Sequence, residues 1–207
     1  MEPRPNTTQG LRIVDGRAQP RLDVRMARSA CSCRCARACR RSRPAIIEAM
    51  DSTPRTHAES IVVRATGDEL YALVSDVTRT GEWSPVCQEC WWDEGEGARV
   101  GAWFTGRNAV PGRTWETRSQ VVAATPGREF AWMVGRGYVR WGFLLEPGDE
   151  VGTTTLTESW EFTGAGQEFF VERFGDDAPD QVADRTHAAH VGIPATLAAI
   201  KRIAEAD

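Results

Sequence analysis

The strongest constraint on the fold is a series of strand-like runs between residues 86 and 162, each separated from the next by a short turn signal. β-Branched and aromatic residues are frequent within the runs, and Pro-Gly pairs or single glycines lie between them. Strands joined by such short connections pair as antiparallel hairpins. The pattern therefore predicts a meander of six strands, near residues 86–94, 99–107, 114–124, 128–136, 138–146 and 151–162.

Other elements are predicted on both sides of this meander. A strand over residues 59–65 precedes a helix that Thr66 is placed to cap, because acidic residues follow it in the first turn. At the other end, apolar residues recur at helical spacing along 180–206, whereas 166–177 is either a short helix or a loop. A curved sheet wrapped around one long helix makes an α+β fold and leaves space between the two.

Six segments carry a family resemblance: DVTRTGEWSP, VGAWFTGRN, TWETRSQVVAATPGREFAW, VRWGFLLEP, GTTTLTESWEF and TLAAIKRIAE. With these segments in this order, residues 59–205 resemble the START-like (SRPBCC) superfamily of polyketide cyclase/dehydrase, lipid-transport and birch-pollen-allergen-like proteins. The resemblance implies a helix-grip fold with an internal cavity and makes 50–207 a ligand-binding domain. It does not choose between lipid carriers, cyclases, hormone receptors and stress proteins, which share this fold.

Residues 1–49 have no counterpart in the resemblance and differ in charge from the rest of the chain. They contain eleven Arg against four acidic residues, 11 − 4 = +7, whereas the remainder carries 14 − 25 = −11. Their lack of periodicity predicts a disordered Arg- and Cys-rich extension. The part of the sequence with strand and helix patterns begins near Met50, which we expect to be the true start. A targeting segment and a nucleic-acid-binding arm are the alternatives.

The composition restricts partners and cofactors. An acidic body argues against nucleic acid as its partner, since phosphate binding needs clustered Lys and Arg. No phosphate-binding glycine loop, Ser-His-Asp order or H-E-x-x-H motif occurs in the sequence, so we expect no cofactor. The C-x-C-x-C-x3-C spacing of residues 31–39 is not a common zinc pattern, so we expect no metal there. No apolar run is long enough to span a membrane, and a cytoplasmic location is expected.

A second cysteine pair, Cys87 and Cys90, lies in the predicted strand 86–94. Residues three apart in a regular strand point to opposite faces, so the two thiols could share a metal or form a disulfide only at a bulge or turn. A redox motif of this spacing would need a helix start. We therefore interpret both cysteines as small apolar residues of the sheet.

Strand alternation predicts an aromatic inner face. Four tryptophans fall on the apolar side of their strands, and large aromatic side chains there either fill the core or line an apolar pocket. We weigh these two interpretations evenly. The predicted ligand-binding residues are Trp83, Phe104, Trp115, Phe130, Trp132, Trp141, Phe143 and Trp160.

Two ionisable residues are candidates for chemistry. Alternation places Glu158 on the inner face, where burial would raise its pKa, and His190 lies on the closing helix. The first functional hypothesis is a carrier, sequestering protein or sensor of a small hydrophobic molecule. The second is a polyketide cyclase or dehydratase that uses Glu158, with His190, as acid and base. The third is an interaction module with a filled cavity.

Overall fold

The computed structural model describes residues 53–95 and 97–206, and the predictions for residues 1–49 lie outside this part of the chain. Within these described residues, seven strands form one antiparallel sheet in the order β1-β7-β6-β5-β4-β3-β2. The predicted meander is therefore confirmed, and the N-terminal strand joins its far end, beside β7. The strands are β1 (Arg55–Val63), β2 (Cys87–Trp92), β3 (Trp103–Val110), β4 (Arg113–Thr125), β5 (Glu129–Val134), β6 (Val139–Pro147) and β7 (Thr154–Phe162).

In the described part of the chain four α-helices accompany the sheet, and the first begins where the sequence predicts. The Thr66 hydroxyl accepts a hydrogen bond from the Glu69 backbone N–H, while the Glu69 carboxylate accepts one from the Thr66 N–H, forming a capping box. The segment predicted as a helix or a loop is α3. The helices are α1 (Gly67–Ser75), α2 (Thr80–Trp83), α3 (Gly164–Phe174) and α4 (Ala178–Ala204).

Helix α4 crosses the inner face of the sheet and packs against β1 and β7. One side of this 27-residue helix is buried, including Val182, Ile193 and Ile200. Its C-terminal end is tied to β1, since Lys201 Nζ donates to the Val62 carbonyl at 2.6 Å. A curved antiparallel sheet held against one long helix is the predicted α+β helix-grip architecture. In the described residues, no helix is long and apolar enough to cross a membrane.

The prediction that Cys87 and Cys90 of β2 point to opposite faces is wrong. The register between β2 and β3 shifts between Cys87 and Glu89, so this strand contains a bulge. The extra residue resets the alternation, because a bulge places two residues opposite one of the partner strand. Cys87 and Cys90 therefore both reach the buried side of the sheet, with their sulfur atoms 3.3 Å apart.

Candidate ligand-binding site

Aromatic side chains of three neighbouring strands form the central part of the inner face. In the β5–β6 pair Phe130 is opposite Phe143 and Trp132 is opposite Trp141, and in the β6–β7 pair Trp141 is opposite Trp160. Directly opposed residues of antiparallel strands point to the same face and contact each other. The ring centroids of Trp132 and Phe143 lie 6.0 Å apart, and those of Trp141 and Trp160 lie 6.4 Å apart.

These rings differ in burial, and the difference divides them into a floor and a rim. Phe130, Phe143 and Trp160 are buried, whereas Trp132 and Trp141 are half-buried. All five lie on the side of the sheet on which α4 packs against β1 and β7, so the exposure of the two tryptophans means that solvent reaches part of this inner surface. We call Phe130, Phe143 and Trp160 the floor, and Trp132 and Trp141 the rim.

The other three predicted ligand-binding residues lie in different surroundings. Trp83 of α2 meets Phe143 edge-on, with ring centroids 5.6 Å apart, and Phe104 lies 6.1 Å from Trp132. Both extend the aromatic surface that the floor and rim begin. Trp115 is half-buried near the β3–β4 turn, where the Arg113 guanidinium lies over its ring at 4.3 Å.

Glu158 projects from β7 into this aromatic surface, as alternation predicts. It lies between Leu156 and Trp160 on the inner face and opposite Phe143 of β6, and it is 4% exposed. Its Oε2 atom has no hydrogen-bond partner among the described residues. The indole Nε1 of Trp83, whose ring contacts Phe143, is buried and unpartnered in the same way. The two residues that carry these unsatisfied polar atoms are therefore both neighbours of Phe143.

Burial determines the protonation of Glu158. Removing the carboxylate from water raises the pKa of Glu158 well above its ordinary value, because the charged form loses its hydration. The neutral acid is therefore favoured over a wider range of pH than for an exposed glutamate. A neutral carboxyl group carries one O–H donor and keeps acceptor capacity, so it can bind a carbonyl or a hydroxyl group.

His190 does not reach Glu158 directly. It is exposed on α4 and stacks on His57 of β1, with ring centroids 3.8 Å apart and an interplanar angle of 13°. His57 Nε2 lies 3.0 Å from Glu59 Oε1, and Glu59 is opposite Glu158 in the β1–β7 pair. The residues between the two predicted catalytic groups are therefore a histidine and a carboxylate of the edge strand.

The sequence interpretation missed His57 and Glu59 as site residues. The predicted first strand began at residue 59, whereas β1 begins at Arg55, so His57 was outside the predicted sheet. The available signal was the alternation of β1, in which His57, Glu59 and Ile61 are less exposed than the residues between them. Such a polar inner face is a weak signal, because two of these three residues are hydrophilic.

The described residues also form two open depressions, of which only the first includes a residue of the aromatic floor, Trp160. One, of about 370 Å³, is bordered by β1, β6 and β7 residues that include Thr56, Arg140 and Glu161. The other, of about 360 Å³, lies near the start of α1 and the β6–β7 turn. Neither is lined by α4. Within residues 53–95 and 97–206, no group of three or more His, Cys, Asp and Glu side chains is placed to hold a metal ion.

Comparison with solved structures supports the same fold. The solution NMR structure of a Polyketide_cyc-like protein from Corynebacterium glutamicum is 57% identical, with 72% of this chain and 91% of that chain covered and a TM-score of 0.55. A protein from Chromobacterium violaceum is 16% identical, with coverages of 73% and 98% and a TM-score of 0.53. The di-domain ARO/CYC StfQ from the steffimycin biosynthetic pathway is 16% identical, with coverages of 75% and 52% and a TM-score of 0.57.

Sequence comparison identifies the family. No curated protein sequence matches the chain. The family model described as polyketide cyclase/dehydrase and lipid transport matches residues 55–190, which run from the first residue of β1 into α4. This match spans more than half of the chain, and it agrees with the helix-grip architecture and with the Corynebacterium relative. The chain therefore belongs to the polyketide cyclase/dehydrase and lipid transport family.

Proposed function

We propose that the protein binds a small hydrophobic molecule, such as a lipid, a polyketide or an aromatic compound, between the sheet and α4. It would act as a carrier, a sequestering protein or a sensor. The observation that carries this proposal is Glu158, a buried carboxyl group with an unpartnered oxygen on a wall of aromatic rings. A buried polar atom without a partner costs about 1–3 kcal/mol, so a ligand that satisfies it gains that amount of binding free energy.

The surroundings of Glu158 favour a particular kind of ligand. Flat aromatic rings suit a flat apolar molecule, and its burial supplies affinity in proportion to the area removed from water. The Glu158 carboxyl group and the Trp83 indole N–H would both meet an oxygen atom of this molecule. We therefore expect a ligand with a large apolar surface and a hydroxyl or carbonyl group at one end.

A ligand would reach the aromatic floor by passing the two rim tryptophans. Trp132 and Trp141 are half-buried on the inner face, whereas the floor residues behind them are buried. A ligand would enter by displacing these two rings, because neither open depression borders α4. The cytoplasmic location remains part of this proposal, and fractionation of the source cells tests it.

The test compares two probes that differ by one oxygen atom, naphthalene and 2-naphthol, in equilibrium dialysis. We expect 2-naphthol to bind about tenfold more tightly, because one hydrogen bond contributes about 1 kcal/mol or somewhat more. Glu158→Leu should weaken this preference, since only the Trp83 N–H then remains for the hydroxyl group, and should keep the affinity for naphthalene. Glu161→Gln is the matched control, since Glu161 is the neighbouring acid of β7 on the other face of the sheet. Absence of binding by both probes would contradict the proposal and favour an interaction module with a filled cavity.

An enzymatic function is the second candidate, and the raised pKa of Glu158 favours it. A carboxylic acid that stays neutral can protonate a ketone oxygen, and the reaction class would be the cyclisation or dehydration of a polyketide-like substrate. His190 would act through His57 and Glu59, because it does not contact Glu158. Exchange of the methyl protons of acetophenone for deuterium, followed by NMR, tests this candidate. Exchange at the same rate with Glu158→Gln would contradict a role for Glu158.

A further inference from the structure

The β2 bulge creates a close pair of thiols. Cys87 and Cys90 are 8% and 7% exposed, and their sulfur atoms lie 3.3 Å apart. Their strand neighbours on β3 are Asn108 and Gly106, respectively. Sulfur atoms at this separation are nearly in position to bond, because a disulfide needs about 2.05 Å.

Two glycines provide the space that this arrangement needs. A Cβ atom at Gly106 would lie 3.0 Å from the Cys90 sulfur and 3.4 Å from the Cys87 sulfur, so any larger residue there would crowd both sulfurs. A Cβ atom at Gly81 of α2 would lie 2.4 Å from the Gln88 carbonyl oxygen, in the bulge itself. Glycines of β3 and α2 therefore leave room for the two sulfur atoms and for the bulge that brings them together.

We propose that Cys87 and Cys90 form a site of reversible oxidation, in which a hydroperoxide converts the two thiols into a disulfide and a dithiol reductant restores them. This proposal does not depend on ligand binding at Glu158. It replaces the expectation that both cysteines serve only as small apolar residues.

The environments of the two thiols suggest different roles. The hydrogen bond from Cys90 lowers the pKa of the Cys87 thiol, whereas the same contact and burial raise the pKa of Cys90. Cys87 is therefore the better nucleophile, because the thiolate is the reactive form. Cys90 keeps its proton and lies next to Cys87 as the second thiol.

The chemistry balances in two steps. The Cys87 thiolate attacks one peroxide oxygen, which breaks the O–O bond, forms a sulfenic acid and releases hydroxide or an alkoxide. The Cys90 sulfur then attacks the sulfur of this sulfenic acid, forming the S–S bond, and its proton leaves with the hydroxyl group as water. The protein loses two electrons, and the hydroperoxide gains them. A dithiol reverses the reaction by thiol–disulfide exchange.

A metal site is less consistent with the same residues. Two thiolates supply half of the four ligands of a structural zinc site. In the part of the chain that the structure describes, no third His, Cys, Asp or Glu completes such a group. Reversible disulfide formation, in contrast, needs only the two thiols.

The test treats the reduced full-length protein with hydrogen peroxide, alkylates the remaining thiols and analyses tryptic peptides by mass spectrometry. No Lys or Arg separates the two cysteines, so both fall in the peptide of residues 80–99, apart from the four cysteines of residues 31–39. We expect this peptide to become lighter by two hydrogen atoms and to escape alkylation. Dithiothreitol should restore full alkylation.

Single variants separate the two roles. Cys90→Ser should stop at the sulfenic acid, so dimedone should label Cys87 in this variant and not in the wild type. Cys87→Ser should give little dimedone labelling, since burial still raises the pKa of Cys90 when the Cys87 sulfur is absent. Thermal melts confirm that each variant is folded. Sulfinic or sulfonic acids without an intrapeptide disulfide in the wild type, or thiols that stay reduced, would overturn the proposal.

Discussion

Replacing Glu158 with leucine should stabilise the protein. The carboxyl group is 4% exposed, and its Oε2 atom has no partner among the described residues. Leucine has a similar volume and no polar atom, so the substitution removes an unsatisfied group without opening a large cavity. We expect the free energy of unfolding to rise by about 1–3 kcal/mol. Each kcal/mol corresponds to an increase of about 2–4 °C in the melting temperature of a domain of this size.

The stability advantage of Glu158→Leu over the wild type should depend on pH, and the pKa of Glu158 determines whether it grows or shrinks as the pH rises. Burial raises this pKa well above its ordinary value of 4.5, so the folded protein keeps a proton that the unfolded chain has released. The stabilisation from that proton is fully present below the unfolded pKa and is lost as the pH rises through the folded pKa. The slope reaches about 1.4 kcal/mol per pH unit within this window. Glu158→Leu lacks the slope, so its advantage over the wild type should grow as the pH rises.

Urea denaturation of the wild type, Glu158→Leu and Glu161→Gln across this pH range measures the effect. The Glu161 variant is the control, because its side chain belongs to the opposite face of β7 and should leave the pH dependence unchanged. A less stable leucine variant would mean that Glu158 has a structural partner. A difference in unfolding free energy that stays constant with pH would refute the argument that burial shifts its pKa.

Four further predictions concern stability and can be measured by thermal or urea denaturation. Gly81→Ala should destabilise the protein by about 1–3 kcal/mol, because its Cβ atom would lie 2.4 Å from the Gln88 carbonyl oxygen. Gly192→Ala is the matched change inside α4, where the new Cβ atom meets only Pro85 at 3.9 Å, and it should stabilise by about 0.5–1 kcal/mol. Thr66→Ala removes the cap of α1 and should cost about 1 kcal/mol, and an unchanged midpoint would contradict the capping role. A chain that begins at Met50 should melt at the same temperature as the full chain, and a clear loss would show that residues 1–49 contribute to the fold.

Much of the fold could be predicted because its signals are local. Strand alternation along β7 predicted that Leu156, Glu158 and Trp160 lie on one face, and the burial pattern of the strand confirms this. The order of strands and turns predicted an antiparallel meander, since short connections leave few other topologies. The cap of α1 was visible as Thr66 followed by acidic residues, because capping depends on neighbours in the sequence.

The remaining features depend on contacts between distant parts of the chain. One extra residue in β2 brought Cys87 and Cys90 to the same side, and a bulge leaves no periodic signal in a strand of six residues. The stack of His57 on His190 joins β1 to α4 across the fold. The sequence determined that Glu158 faces inward, because alternation is a property of one strand. Only the tertiary structure decided that its oxygen has no partner, because hydrogen bonding in the interior depends on which side chains the other strands and helices bring within reach.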